Sequence, residues 1–232
     1  MKQRAFDLIL FDLDGTLVET APEIVDAVND TLGHFGMPRV KQQQVSDWIG
    51  HGTRELLVQA LAQVTGTTAA QVRASELLAR ILPVYDSFYS RRCGTRSQLY
   101  PHVCETLRAL RVEGVKLALV TNKESRYTRV VMDVHQLDEL FDAVVCGDTL
   151  ATKKPDPAGV ARCLAQFRVA PERCLFVGDS SIDAATARNA GVAVWLLPHG
   201  YNMGQPIESC SPDRIIADFS WLLKPVRAEE LS

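Results

Sequence analysis

The sequence predicts an α/β fold, a Rossmann-like parallel sheet core with an inserted helical cap domain. Three observations carry that prediction. Phe6 to Phe11 is a near-continuous apolar run of strand length that ends on Asp12 and Asp14, as a strand buried on both faces of a parallel sheet does. From Pro22 to about Ser90 the periodicity is helical almost throughout, with no convincing strand. From Tyr100-Pro101 onward, short apolar runs alternate with helical segments, the pattern of βαβ units. The expected division is an α/β core on 1–18 and 91–232 with a helical cap on 19–90.

Each element follows from local spacing. Pro22 stands in the first turn of a helix whose Ile24, Val25, Val28, Leu32 and Phe35 recur at helical spacing. That helix stops near Gly36-Met37-Pro38, and a short one follows from Gln42 to Trp48. After the turn Ile49-Gly50-His51-Gly52-Thr53-Arg54, a third carries Leu56, Leu57, Ala60, Leu61 and Val64. The last, from about Ala69 to Tyr89, is expected to break or bend at Pro83. In the later block, helices are predicted at Val103–Arg111, Ser125–His135, Pro157–Phe167 and Ile182–Asn189. Ser125 serves as N-cap of its helix, and Gly191 closes the helix that ends at Asn189. The strands between them are Lys116–Val120, Ala143–Cys146, Cys174–Val177, Val192–Leu197 and a short Arg214–Ile216.

Composition narrows the class. A net charge of −3 without a basic block argues against a nucleic-acid surface. The apolar run before Asp12 is too short for a secretory segment, and no stretch reaches membrane-spanning length. The six cysteines form no C-x-x-C pair and the five histidines show no metal-ligand spacing. These features point to a reduced, zinc-free, cytoplasmic protein, expected to be a monomer or weak homodimer.

The chemistry gathers at strand ends, where open α/β sheets place their ligands. Lys116–Val120 runs into Thr121-Asn122-Lys123, and Ala143–Cys146 leads through Gly147-Asp148 to Lys153-Lys154-Pro155-Asp156-Pro157. Cys174–Val177 runs into Gly178-Asp179-Ser180-Ser181-Ile182-Asp183. With Asp12 and Asp14 this sets acids, a hydroxyl and a lysine along one edge. Such a set suits a hard divalent cation, magnesium above all, and a small phosphomonoester. Asp12 could attack phosphorus, while Asp14 could protonate the leaving oxygen and later activate water. Thr121 and Lys154 could hold the phosphate. Asn122 and Lys123 stand where they could line the pocket or the surface, and Lys153 reads as a solvated neighbour.

Phe11-Asp12-Leu13-Asp14-Gly15-Thr16-Leu17, Val120-Thr121-Asn122-Lys123, Lys154-Pro155-Asp156-Pro157 and Val177-Gly178-Asp179-Ser180…Asp183 resemble the four motifs of the haloacid dehalogenase superfamily, in its order. The resemblance implies that Asp12 is the nucleophile, Asp14 the general acid/base, and Thr121 and Lys154 the phosphate binders. It implies a magnesium site formed by Asp12, Asp179 and the backbone carbonyl of Asp14, supported by Asp183. The dehalogenases proper lack an acid at the place of Asp14 and need no metal, so phosphate chemistry is favoured.

Trp48-Ile49-Gly50-His51-Gly52, Gly147-Asp148 ahead of Lys153-Lys154-Pro155, and His199-Gly200-Tyr201-Asn202 further resemble the bacterial phosphoglycolate phosphatases. Glu19 departs from that group, which often carries Asp there. The resemblance implies magnesium-dependent hydrolysis of 2-phosphoglycolate to glycolate and phosphate through an aspartyl-phosphate. The same motifs would serve a phosphatase for a sugar or amino-sugar phosphate, or a phosphate-binding regulator without turnover. Substrate choice is expected from the cap turn, where Gly50, His51 and Gly52 expose backbone N–H groups at a helix start. Arg54 there either pairs with the substrate carboxylate or faces water.

Overall fold

The structure, a computed structural model, describes residues 5–224. The ends of the expected core range, 1–4 and 225–232, lie outside the described residues. Six parallel strands form the main sheet: β1 (Leu8–Phe11), β4 (Lys116–Val120), β5 (Ala143–Val145), β6 (Cys174–Gly178), β7 (Ala193–Leu196) and β8 (Arg214–Ile215). Their order is β5-β4-β1-β6-β7-β8, with β1 at the centre. Ile9 and Phe11 pack into the core on one face of the sheet, Leu8 and Leu10 into that on the other. This two-sided burial is why β1 shows no polar alternation. Helices α6 (Val103–Val112) and α7 (Ser125–Val134) contribute Leu107 and Val131 to the first face. Helices α8 (Ala158–Phe167) and α9 (Ser181–Ala190) contribute Val160 and Ala187 to the second.

Register decides where the chemistry falls. Phe11 pairs with Leu119 on one side and Val177 on the other. The three central strands therefore end level, and Asp12, Thr121 and Asp179 leave the sheet side by side.

Between Val18 and Leu99 the chain makes a helical block. A two-residue antiparallel pair, β2 (Val18–Glu19) with β3 (Gln98–Leu99), carries it out and back. The block holds α1 (Ala21–His34), α2 (Gln42–Ser46), α3 (Thr53–Thr65), α4 (Ala69–Arg73) and α5 (Glu76–Arg92). Strands this short are too brief to show a periodicity in the sequence.

Two expectations about helix ends are corrected. The break falls at Ala74-Ser75, not at Pro83, which lies inside α5. Ser75 accepts a hydrogen bond from the Leu78 N–H and so starts a new helix, and that helix runs on through Pro83 to Arg92. The N-cap of α7 is Glu124, not Ser125. The N–H and Oγ of Ser125 both donate to the Asp148 carboxylate, which anchors this turn to the one after β5. Among the described residues no helix is long and apolar enough to cross a membrane. All six cysteines are free thiols.

Candidate active site

Asp12 leaves β1 directly, its N–H donating to the Val177 carbonyl at 3.1 Å. The carboxylates of Asp12, Asp179 and Asp183 each bring an oxygen within 4.8 Å of the others, and all three residues are buried. Asp183 is fully committed. Its Oδ1 accepts from Lys154 Nζ at 2.7 Å, and its Oδ2 accepts from Ser180 Oγ at 2.7 Å and from the Asp179 and Ser180 N–H groups. That is the capping box of α9, with Ser180 as N-cap. Asp179 accepts from Thr16 Oγ1 and from the Tyr201 N–H. Backbone crowds that carboxylate so closely that a Cβ on Gly200 would lie 2.1 Å from its Oδ2, and one on Gly15 2.4 Å. Gly15 also needs its positive φ of 83°.

The charges are unbalanced. Lys154, itself buried, is the cation that touches two of the three acids: its Nζ lies 2.9 Å from Asp12 Oδ1 and 2.7 Å from Asp183 Oδ1. Burial pulls the lysine down, but Asp12 and Asp183 outweigh it and hold the ammonium above its ordinary range. Burial pushes the Asp12 carboxyl up to about 6 against the pull of Lys154. Asp179 is pushed well above the usual carboxylate range by burial, then by Asp183 and Asp12. The ammonium meets Asp12 Oδ1 as an ion pair outside hydrogen-bonding alignment, leaving that buried oxygen without a hydrogen-bond partner. Three clustered oxygen acids, one with an uncommitted oxygen, fit a hard divalent cation.

Thr121 and Asn122 follow β4. Thr121 is buried, its N–H tied to the Val145 carbonyl and its Oγ1 accepting from the Lys123 N–H. Asn122 Nδ2 donates to the Gly50 and Lys154 carbonyls at 2.9 and 3.0 Å, joining the helical block to the turn that carries the lysine. Its Oδ1 is buried without a partner.

The haloacid dehalogenase-like hydrolase family model matches residues 9–197, which spans all of these side chains. The chain belongs to this family. It is 38% identical to a phosphoglycolate phosphatase of Vibrio cholerae over 223 residues, 96% of this chain and 98% of that protein. It is 37% identical to one of Haemophilus influenzae over 221 residues, 94% of this chain and 97% of that protein. A solved structure of a predicted phosphoglycolate phosphatase from Haemophilus somnus superposes with a TM-score of 0.89 at 34% identity, over 95% of this chain and 98% of that one.

In this haloacid dehalogenase-like hydrolase a cleft opens between the sheet edge and the helical block. Asp12, Asp14, Thr121, Asn122 and Lys123 floor it, and Ile49, Leu56, Tyr85 and Tyr89 wall it. Gly50 and Gly52, both at positive φ, bring the start of α3 to its rim, and Thr53 there donates to Glu124 Oε2 at 3.0 Å. Arg54 is exposed and does not line this cleft, the second of the two placements its sequence left open. One helical position turns a side chain by about 100°, which carries Arg54 off the face that Thr53 and Leu56 present. His51 is also exposed, in an open depression with Glu55, Arg73 and Lys153.

Asp14 does not join the other acids by its side chain. Its Oδ1 accepts from Thr20 Oγ1 at 2.8 Å and from Lys123 Nζ at 2.9 Å. The depth of Lys123 in this arrangement was not readable from its motif, which left pocket and surface equally open.

Proposed function

We propose that the chain is a magnesium-dependent phosphatase that hydrolyses 2-phosphoglycolate to glycolate and phosphate. Near-full-length identity to proteins named phosphoglycolate phosphatase carries the reading, and the strand-end acids support it. Asp12, whose Oδ1 lacks a hydrogen-bond partner, is the nucleophile that takes the phosphoryl group. Lys154 beside it and Thr121 bind the phosphoryl oxygens. Asp14 gives a proton to the departing glycolate oxygen, then takes one from the water that cleaves the aspartyl-phosphate. Asp12, Asp179 and the Asp14 backbone carbonyl would hold magnesium, with Asp183 bracing them, and the ion would supply charge neutralisation for the phosphate.

The helical block, 19–90, acts as a cap that shuts this cleft from water. Lys123, the cation lining the cleft, is already paired with Asp14. The substrate carboxylate is therefore assigned to the start of α3, where Gly52 offers no capping side chain to the first N–H groups. Asn122, through its Gly50 contact, sets the height of that turn over the phosphate.

The test is phosphate release from 2-phosphoglycolate beside a panel of small phosphomonoesters, with magnesium and with chelator. The expected result is a kcat/KM for 2-phosphoglycolate at least about a hundredfold above the rest, roughly 2.7 kcal/mol of discrimination, lost on chelation. A sugar phosphate at the top of the panel would overturn the substrate and keep the chemistry. Activity that survives chelation would remove magnesium from the reading, and no release from any ester would leave a regulator. Arg54→Ala is expected to keep kcat/KM within about twofold, because its side chain lies outside the cleft. A tenfold rise in KM for 2-phosphoglycolate alone would return Arg54 to the substrate.

A further inference from the structure

Lys123 is buried at the meeting of three elements. Its Nζ donates to Asp14 Oδ1 at 2.9 Å and Oδ2 at 3.2 Å, and to Tyr89 Oη at 2.6 Å. The ammonium also sits 5.0 Å from the centre of the Tyr89 ring. Tyr89 lies on α5, stacked on Tyr85 and tilted against Tyr127 of α7, so its hydroxyl has little freedom. Thr20, just before α1, holds Asp14 Oδ1 from the other side. The oxygens of Asp14 are thus unequal: Oδ1 has two close donors, while Oδ2 has one longer contact. Oδ2 is the oxygen left to exchange a proton with substrate or water.

We propose that Lys123 is the positioning residue for the Asp14 carboxylate, and that its hydrogen bond to Tyr89 makes the seating of α5 a condition for that position. The inference rests on the reading of Asp14 as general acid/base. With α5 in place, tyrosine, lysine and Thr20 fix the carboxylate over the cleft. With α5 displaced, the lysine loses its second anchor and Asp14 its fixed orientation. Chemistry is then confined to the closed cleft by contacts within it, at a distance from the turn that selects the substrate. An ammonium that reaches carboxylate and phenol at once is a geometric device, and a surface lysine would make neither contact.

Two variants test this, Tyr89→Phe and Lys123→Met, each assayed for kcat/KM on 2-phosphoglycolate and on p-nitrophenyl phosphate. The alkoxide leaving group needs the Asp14 proton, whereas nitrophenolate leaves without it, and kcat/KM reports only the steps through departure of the alcohol. Expected losses on 2-phosphoglycolate are about tenfold for Tyr89→Phe and about a hundredfold for Lys123→Met. Losses on the aryl ester should stay below about threefold. Equal losses on both esters would mean a structural role only, and no loss on either would remove the coupling. Tyr89→Phe deletes a single oxygen from a buried ring, so it keeps the test alive if Lys123→Met fails to fold. If the parent protein cleaves neither ester, the phosphatase reading itself has failed. Parent activity with unselective variants overturns only the positioning.

Discussion

Asp12→Asn is expected to lower kcat by at least about 10⁴-fold, since an amide cannot form the covalent intermediate and the remaining groups supply binding alone. The variant should fold at least as well as the parent in chelator. Burial already pushes the Asp12 carboxyl up to about 6, so at pH 7.5 the parent keeps a charge that its surroundings disfavour. A neutral amide of the same shape removes one of three mutually repelling carboxylates and leaves Lys154 its contact with Asp183. The measurements are rapid-quench phosphate release and a thermal melt. Retention of more than about 1% of kcat would sink the aspartyl-phosphate route. A lost fold would show instead that Lys154 depends on Asp12 for its position.

The parts legible in the sequence are those where one physical requirement acts on consecutive residues. β1 is buried on both faces, so its apolar run is unbroken and the acids after it stand out. The parallel register then brings every strand-end turn to the same edge, which is why Thr121, Lys154, Asp179 and Asp183 meet Asp12 despite their separation in sequence. Contacts set by the rotation of a helix were not legible. The spacing of α5 marks its buried side, but the partner of the Tyr89 hydroxyl is Lys123, 34 residues away, and depends on how α5 lies over the cleft. Arg54 shows the same on a smaller scale. Its residue type suits a carboxylate or water equally, and its place as the second residue of α3 leaves it exposed. Capping chemistry misled at Ser125, whose hydroxyl is drawn off by Asp148, while the cap that forms is Ser180 with Asp183 three residues on.

Lys154→Met separates the two roles of the buried lysine. Removing one partner of a buried ion pair leaves its acids uncompensated, so in chelator at pH 8 the variant should lose about 3–5 kcal/mol. The loss depends on pH in a set direction. Asp12 titrates near pH 6 in the folded protein, above its ordinary 3.8, so the folded state binds more protons than the unfolded chain between those values. Stability therefore falls as pH rises through that window, and without Lys154 the window extends further upward. At pH 5 the variant should lie within about 1–2 kcal/mol of the parent, because a protonated Asp12 needs no counter-charge. Urea unfolding at the two pH values reads the difference; an equal loss at both would reduce the lysine to packing. Magnesium should recover part of the pH 8 loss, as any ligand that binds only the folded state does. It should not recover catalysis. The metal neutralises the acids, whereas the phosphoryl oxygens opposite Asp12 still lack the ammonium, and kcat/KM should remain at least about 10³-fold down. A magnesium-loaded variant within tenfold of the parent would take Lys154 out of phosphate binding and leave it as the counter-ion of Asp12 and Asp183.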